Sequence, residues 1–288
     1  PSGSMKNTIL TGEVVISEKI SIGPRLPNSV YEIPWVNIGA YLYLKNNRSD
    51  STIWKYKRWK GLTNIKRGDV LFFNAPFNNS TVLVKRCIGL PGEIICIRDT
   101  KVFADGIELA ENENSLLHYN IWHDNNKKFK QAMDSLGITN HYIYSQDYLY
   151  QDLKKVAKMI CTPGEIEAIK NTISIDSCTP DLHLPPSKEI FPEYYKSIWT
   201  IDNWGPVKVP YQGMVIQLNK YNYLIYKRLL EKIEHVDLSV IEDSYFVNGK
   251  ESQSYTFKYN YYMMLGDNRH ASIDSRVWGF ISDKEIIA

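Results

Sequence analysis

Three widely separated pieces of this chain hold the groups needed for hydrolysis without histidine. Pro1-Ser2-Gly3-Ser4-Met5 supplies hydroxyls beside a glycine. Val82-Leu83-Val84-Lys85-Arg86 supplies a lysine in an apolar run, and Gly266-Asp267-Asn268-Arg269 supplies a polar turn. A serine hydroxyl is a weak nucleophile until a neighbouring base takes its proton. A lysine is such a base once burial lowers its pKa towards neutrality. The Ser-Lys variant of the catalytic triad works this way. Gly3 lets the backbone at Ser4 approach a ligand closely. The Ser2 hydroxyl and the Ser4 main-chain N–H are candidate donors to a developing oxyanion.

Each piece also has a plainer reading. Ser4 taken alone fits a Gly-Ser terminal tag. Lys85 taken alone fits an edge-strand lysine that deters aggregation. Strand alternation puts Leu83, Lys85 and Cys87 on one face and Val82, Val84 and Arg86 on the other. Each charge then shares a face with apolar neighbours, and an inward lysine is desolvated. Tyr261 to Leu265 is an apolar strand ending in the polar turn, with Ser272, Asp274, Ser275, Arg276 and Trp278 close behind. There Ser272 is placed to accept from and orient a lysine ammonium, and Asp274 and Arg276 to pair and brace the turn.

The elements that must position these residues are mostly strands. Residues 8–22 alternate apolar and polar in part and predict a strand, broken by Gly23-Pro24. Residues 28–66 are aromatic and irregular, the pattern of a surface flap. Strands are predicted at 70–73, 81–88 and 93–97, separated by Arg67-Gly68-Asp69, Asn74-Ala75-Pro76 and Gly89-Leu90-Pro91-Gly92. Asp105-Gly106 and Asn248-Gly249 each end a short strand and predict hairpin turns. Helical spacing covers 126–136, 147–160 and 163–171. Asp147 is the expected cap of the second, and Thr162-Pro163 opens the third. The clearest helix is 220–235, with Leu224, Tyr226, Leu229, Leu230 and Ile233 as its core stripe. Turn clusters at 203–206 and 210–213 flank one short strand. Strands return at 253–265 and 277–282. The fold class is mainly β, a β-rich α+β protein whose β core is interrupted by a large mixed α/β insertion.

Composition removes some functions. Hydrophobic residues at 43% and charged residues at 23% are the proportions of an ordinary globular domain of 288 residues. A net charge of +2 gives no reason to expect nucleic acid as a partner. No stretch reaches the roughly 20 apolar residues of a spanning helix. The chain does not begin with Met and opens inside a reactive motif. The expectation is a processed or artificial N-terminus, with any membrane anchor upstream. No C-x-x-C pair, P-loop, H-E-x-x-H or G-x-S-x-G occurs, so neither a metal nor a cofactor is expected. His118, His123, His141, His183, His235 and His270 are scattered without ligand spacing. Cys87 and Cys96 lie in apolar strands as buried thiols. Cys161 and Cys178 are a candidate disulfide whose Cα separation decides the matter.

Four blocks fall in one order. They are Ser2-Gly3-Ser4-Met5 with Thr8; Arg67-Gly68-Asp69-Val70; Val84-Lys85-Arg86 with Ile88-Gly89-Leu90-Pro91-Gly92; and Gly266-Asp267-Asn268-Arg269 with Ser272, Asp274-Ser275-Arg276 and Trp278-Gly279. Together they resemble a bacterial type I signal peptidase. The Cys87-containing lysine block and the long insertion are similar to the Bacteroidetes branch. The resemblance implies a signal-peptidase-like antiparallel β catalytic core from 1–100 and 254–288, interrupted by an insertion at 101–253. It implies Ser4 as nucleophile, Lys85 as general base, and Ser2 with the Ser4 N–H as oxyanion hole. Ser272 would hold Lys85, with Asp274 and Arg276 as structural supports. Met5, Leu83 and Val84 would contact substrate. That substrate would be a secretory preprotein cut after small residues in an A-x-A-like pattern. The work would be done on the outer face of the cytoplasmic membrane, touching the lipid bilayer. Asn7 stands where the family often has proline before Thr8. Ile9 replaces a common leucine, and Glu93 a frequent aspartate.

Two rival readings make different demands. A self-cleaving repressor with a Ser-Lys centre needs a DNA-binding helical module, and no helix-turn-helix is visible. A β-rich envelope binding protein would be indifferent to Ser4→Ala.

Overall fold

The computed structural model describes residues 3–27, 29–30, 33, 35–43, 54–76, 78–138, 142–145, 155–186 and 189–288. Its first sheet carries the lysine block. Strand β1 (Val70–Ala75) pairs antiparallel with β2 (Asn78–Gly89), with Leu71 opposite Lys85. Alternating apolar residues give β1 one buried face, where Leu71, Phe73 and Ala75 point into the core. After Gly92 the chain builds β3 (Ile94–Arg98), β4 (Lys101–Ala104) and β5 (Ile107–Glu108). Asp105 and Gly106 both take positive φ, at 50° and 83°, as a primed two-residue turn requires.

A second body of structure follows. It contains β6 (Leu117–His123), β7 (Tyr142–Ser145), β8 (Lys155–Cys161) and β9 (Ser177–Pro180), in the spatial order β7-β8-β6-β9. Two helices pack on this sheet, Asn126–Ser135 and Pro163–Thr172. The second starts with a full capping box. The Thr162 side chain accepts from Glu165 N–H, and the Glu165 carboxylate accepts from Thr162 N–H. Ile121, Phe129, Met133, Ala157, Met159, Cys161 and Ile169 form the core between these layers.

The chain then returns through β10 (Trp204–Lys208), which pairs with β3, and β11 (Val215–Gln217). The long helix Lys220–Lys232 comes next, with Ile225, Tyr226, Leu229 and Leu230 buried. After it come the hairpin strands β12 (Leu238–Ile241), β13 (Ser244–Val247) and β14 (Lys250–Glu251), then β15 (Ser254–Thr256), which pairs with β11. Finally β16 (Tyr261–Leu265) lies beside β2, and β17 (Ile281–Ser282) beside β16. Every strand pairing among the described residues is antiparallel. No helix among them is long and apolar enough to cross a membrane.

Several expectations change. Residues 8–22 form turns and extended coil rather than a strand, with Val14 and Ile16 more than nine-tenths exposed. A strand needs a ladder partner, and none of the described strands pairs with this segment. The helix expected at 147–160 is instead strand β8 over 155–161, because Val156, Ala157 and Met159 pair on both sides with β6 and β7. Asp147, its expected cap, lies outside the described residues. Part of the supposed flap is a helix, Val36–Tyr43. The strand expected at 253–265 breaks into β15 and β16. That at 277–282 is a helical turn, Ser275–Trp278, followed by β17.

The boundaries at 101 and 253 do not coincide with a break in packing. One core joins Ile88 and Ile95, Trp204 and Leu229, and Tyr261 and Phe280. Among the described residues the segment from about β6 to β9 has a core cluster of its own, and Leu71, Phe73, Cys87, Met264 and Ile281 around β1, β2 and β16 form another. All four cysteines are free. Cys161 on β8 and Cys178 on β9 flank β6 from opposite sides. Two strand spacings of about 4.8 Å exceed the roughly 7 Å that a disulfide spans.

Candidate active site

The turn after β16 grips the N-terminal segment. Gly3–Met5 forms a single 3₁₀ turn with Ser4 and Met5 buried. Asn268 N–H donates to the Ser4 carbonyl at 3.0 Å, and Asn268 Nδ2 donates to the Gly3 carbonyl at 3.2 Å. Thr8 Oγ1 donates to Asp267. Arg86 forks onto the same carboxylate, with Nε at 2.8 Å and Nη2 at 2.7 Å, and its Nη1 reaches the Gly68 carbonyl at 2.7 Å. Three of the sequence blocks are thus tied to one carboxylate. Gly266 is required by space. A Cβ there would stand 2.2 Å from Ser272 Oγ and 2.7 Å from the Ser4 carbonyl oxygen.

Lys85 is 3% exposed, and its Nζ lies 2.6 Å from Ser4 Oγ, hydrogen-bonded to it. Burial pushes the Lys85 ammonium below the ordinary lysine range. The Asp274 and Asp267 carboxylates pull the other way, and Arg276 adds to the lowering. Next to it along β2, burial pushes the Cys87 thiol up to about 12, so Cys87 stays neutral.

Asp274 and Arg276 form a buried, two-pronged pair. Arg276 Nε meets Asp274 Oδ1 at 2.8 Å, and Nη2 meets Oδ2 at 2.7 Å. Burial opposes the Asp274 charge, yet Arg276, the Gly266 N–H and Ser272 hold its carboxyl below the usual range. The guanidinium also donates to the Ile201 and Arg269 carbonyls, and Asp274 Oδ2 accepts from Gly266 N–H at 3.1 Å. Ser275 Oγ accepts from Met264 N–H at 2.8 Å, fixing the end of β16.

Ser272 is buried below Gly266, and its Oγ makes no hydrogen bond to Lys85. The lysine reaches Ser4 instead, while Ser272 acts on Asp274. Ser2 lies outside the described residues. Met5, Leu83 and Val84 line a cavity of about 530 Å³ together with Ser4, Lys85, Ile9, Glu13, Val15, Phe72 and Val82. The sequence reading gave no role to Arg86, Asp267, Asn268 or Thr8, although all lay in the blocks it singled out. Their signal was the clustering of charge beside apolar strands.

The histidines expected to be scattered are partly gathered. His183 and His270 meet at Asp202, and the ring of His118 packs on His270.

Chemically, a serine hydroxyl and a desolvated amine face each other at the edge of an apolar groove. That arrangement suits acyl transfer with an amine base.

The family model described as signal peptidase, peptidase S26, matches residues 1–152 and 208–288. A signal peptidase I from Buchnera aphidicola subsp. Baizongia pistaciae is 24% identical over the whole of this chain and 65% of its own length. One from Pseudomonas fluorescens is 30% identical over 38% of this chain and 30% of its own length. The chain spans about two thirds, 65%, of the length of the Buchnera relative. A crystal structure of a signal peptidase I from Enterococcus faecalis V583 aligns with a TM-score of 0.27 at 17% identity, over 78% of this chain and 94% of that one. The family match takes in both the N-terminal serine segment with the lysine strand and the strand and turn that close the site, and the chain belongs to the signal peptidase family, peptidase S26.

Proposed function

We propose that this chain is a serine endopeptidase that removes signal peptides from secretory preproteins by a Ser-Lys acyl-enzyme mechanism. The observation that carries the reading is the 2.6 Å contact between Lys85 Nζ and Ser4 Oγ, with both groups buried. Neutral Lys85 accepts the Ser4 proton as Oγ attacks the scissile carbonyl carbon. The resulting oxyanion is held by the Ser4 N–H and the Ser2 hydroxyl. The tetrahedral intermediate collapses, and Lys85 passes its proton to the leaving amine. The signal peptide is left as an ester on Ser4. Lys85 then takes a proton from water as it attacks the ester carbonyl, and passes that proton to the Ser4 oxygen as the acyl C–O bond breaks, which frees the signal peptide and restores Ser4 and neutral Lys85. Asp274 and Arg276 hold the turn that fixes Ser4. Ser272 supports that turn from beneath Gly266.

The geometry of β2 suggests how a substrate docks. At Arg86 β2 is paired on both sides, with Val70 of β1 and Leu265 of β16, and towards Gly89 the pairing continues with β16. Residues 82–85 are paired only with β1 among the described residues, so their other edge is open. An extended peptide adding there would place its side chains alternately in the groove and in solvent. Met5, Leu83 and Val84, which line this groove, would then contact the residues before the cut, which in this reading carry small side chains of the A-x-A-like kind. Such substrates arrive through a membrane. The proposed working place is therefore the outer face of the cytoplasmic membrane, with the chain in contact with the lipid surface.

The test is cleavage of a signal-peptide-derived substrate in detergent, across pH, by this chain and its Ser4→Ala and Lys85→Ala variants. Rate rising with pH through a depressed lysine pKa, and lost in both variants, supports the reading. Undiminished cleavage by Lys85→Ala with a flat pH response defeats it.

A further inference from the structure

Two histidines far apart in sequence meet one buried carboxylate beside the catalytic turn, and a third packs on one of them. His270 follows Arg269 directly, and its Nε2 lies 2.8 Å from Asp202 Oδ1. His183 Nδ1 lies 2.9 Å from Asp202 Oδ2, and the His183 main-chain N–H donates to the same oxygen at 2.8 Å. The His118 ring packs against His270 with centroids 4.2 Å apart. One donor atom each from His183, Asp202 and His270 all lie within 4.8 Å of one another. The side chains of Asp202 and His270 are 1% exposed, whereas that of His183 is 51% exposed. Two fixed donors thus sit inside, and a third guards the way in.

We propose that His183, Asp202 and His270 form a binding site for a late first-row transition-metal dication, with zinc as the natural probe. Two imidazoles and one carboxylate are donors that such ions prefer, whereas magnesium and calcium favour all-oxygen sets. An ion about 2.0–2.2 Å from each donor needs donors roughly 3.3 Å apart. The two contacts at 2.8 and 2.9 Å must open slightly, and the half-exposed His183 ring has room to do so. Arg276 is the nearby cation that competes, but its Nε and Nη2 are already engaged by Asp274.

Two costs are visible. Each ring must present a bare nitrogen to the ion and carry its proton on the other one. For His183 the other nitrogen belongs to a half-exposed ring. For His270 it is Nδ1, which now accepts from the His118 N–H at 3.3 Å, so that long contact opens. The position of the site gives it a consequence. Its ligands come from the loop after β9, the loop before β10 and the turn after β16. Asn268, two residues before His270, holds the carbonyls of Gly3 and Ser4. A bound ion would clamp the catalytic turn to the insertion. Peptide cleavage is not needed for this to be true or to be measured.

Zinc is titrated by calorimetry into the chelator-treated 288-residue chain and into its His183→Gln variant, with folding checked by circular dichroism. One zinc per chain is expected, with a Tm several degrees higher at roughly a hundredfold excess over Kd. His183→Gln should bind about tenfold more weakly or worse, with an unchanged Tm in chelator. No stoichiometric zinc binding overturns the proposal. So does equal affinity in the variant, which would move zinc to another residue such as His235. Should His183→Gln not fold, X-ray absorption at the zinc edge of the parent decides: two imidazole ligands support the site, and any other count rejects it.

Discussion

The sheet that carries Lys85 and the sheet of β6 to β9 use burial in opposite ways. Around the first, Lys85, Arg86, Asp267, Asn268, Arg269, Ser272, Asp274 and Arg276 are all buried polar or charged groups. In the second, the buried set is mostly apolar, with Ile121, Phe129, Met133, Ala157 and Met159 filling the space between sheet and helices. The second is stabilised in the usual way, by apolar area removed from water. The first carries desolvated charges that pairing only offsets. Burying Lys85 opposes its charged form, and the same burial would suit the amine to the proposed role of base. Among the described residues, contacts between the two regions include His118 against His270 and a pair of main-chain bonds at Leu116. Leu116 N–H donates to the Asp267 carbonyl at 2.7 Å, and Arg269 N–H donates to the Leu116 carbonyl at 3.0 Å.

Substitutions should separate the two regions. The largest effect on rate belongs to the dyad. Ser4→Ala or Lys85→Ala should lower kcat/KM by about 10⁴–10⁶-fold in the signal-peptide cleavage assay, with both proteins still folded. Asp274→Ala should strike rate and fold together. It leaves Arg276 buried without its carboxylate and should cost about 3–5 kcal/mol in urea unfolding. Phe129→Ala, in the second sheet, should cost a similar 3–5 kcal/mol, yet kcat at low temperature should fall less than about threefold. A loss of activity matching that of Asp274→Ala would show that the two regions are one cooperative unit.

Smaller effects sharpen the contrast. The folded-state pKa of Lys85 lies below its unfolded value, so the unfolded chain holds that proton more tightly. Stability should therefore rise with pH between the depressed pKa and the ordinary lysine range near ~10.4. Lys85→Met should remove that slope and raise stability at neutral pH by about 1–3 kcal/mol while abolishing cleavage. Asp283 provides the opposite sign. Burial raises its carboxyl to about 6 against the pull of Asn260 and Arg58. Its contribution is present at low pH and is lost as pH rises through about 6. Asp283→Asn should flatten the stability profile between pH 4 and 6, by about 1 kcal/mol after solvent screening.

Much of the first sheet was legible because its signals are local. The apolar runs at 70–73 and 81–88 predicted two of its strands, and outside it the Asp-Gly and Asn-Gly turns and Thr162-Pro163 likewise follow from the conformational preferences of a few neighbouring residues. The strand at 155–161 was not legible. Its charged, helix-spaced residues form a strand only because β6 and β7 lie on either side to complete the ladder. The converse holds for 8–22, where the alternation has no described strand beside it.

The chemistry divides along the same line. The sequence by itself determined which groups were available: a serine beside a glycine, a lysine in an apolar strand, and a turn with a carboxylate and an arginine just beyond it. Side-chain type and strand period set those facts, and both are local. Only the tertiary structure decided what meets what. It put Lys85 Nζ within 2.6 Å of Ser4 Oγ across 81 residues, and it bound Asp267 to Arg86 across 181. It drew Ser272 against Gly266, and it brought His183 and His270 onto Asp202. Such contacts depend on strand order and on the space left when apolar faces close. Those quantities belong to the packed chain as a whole, and no short stretch of sequence holds them.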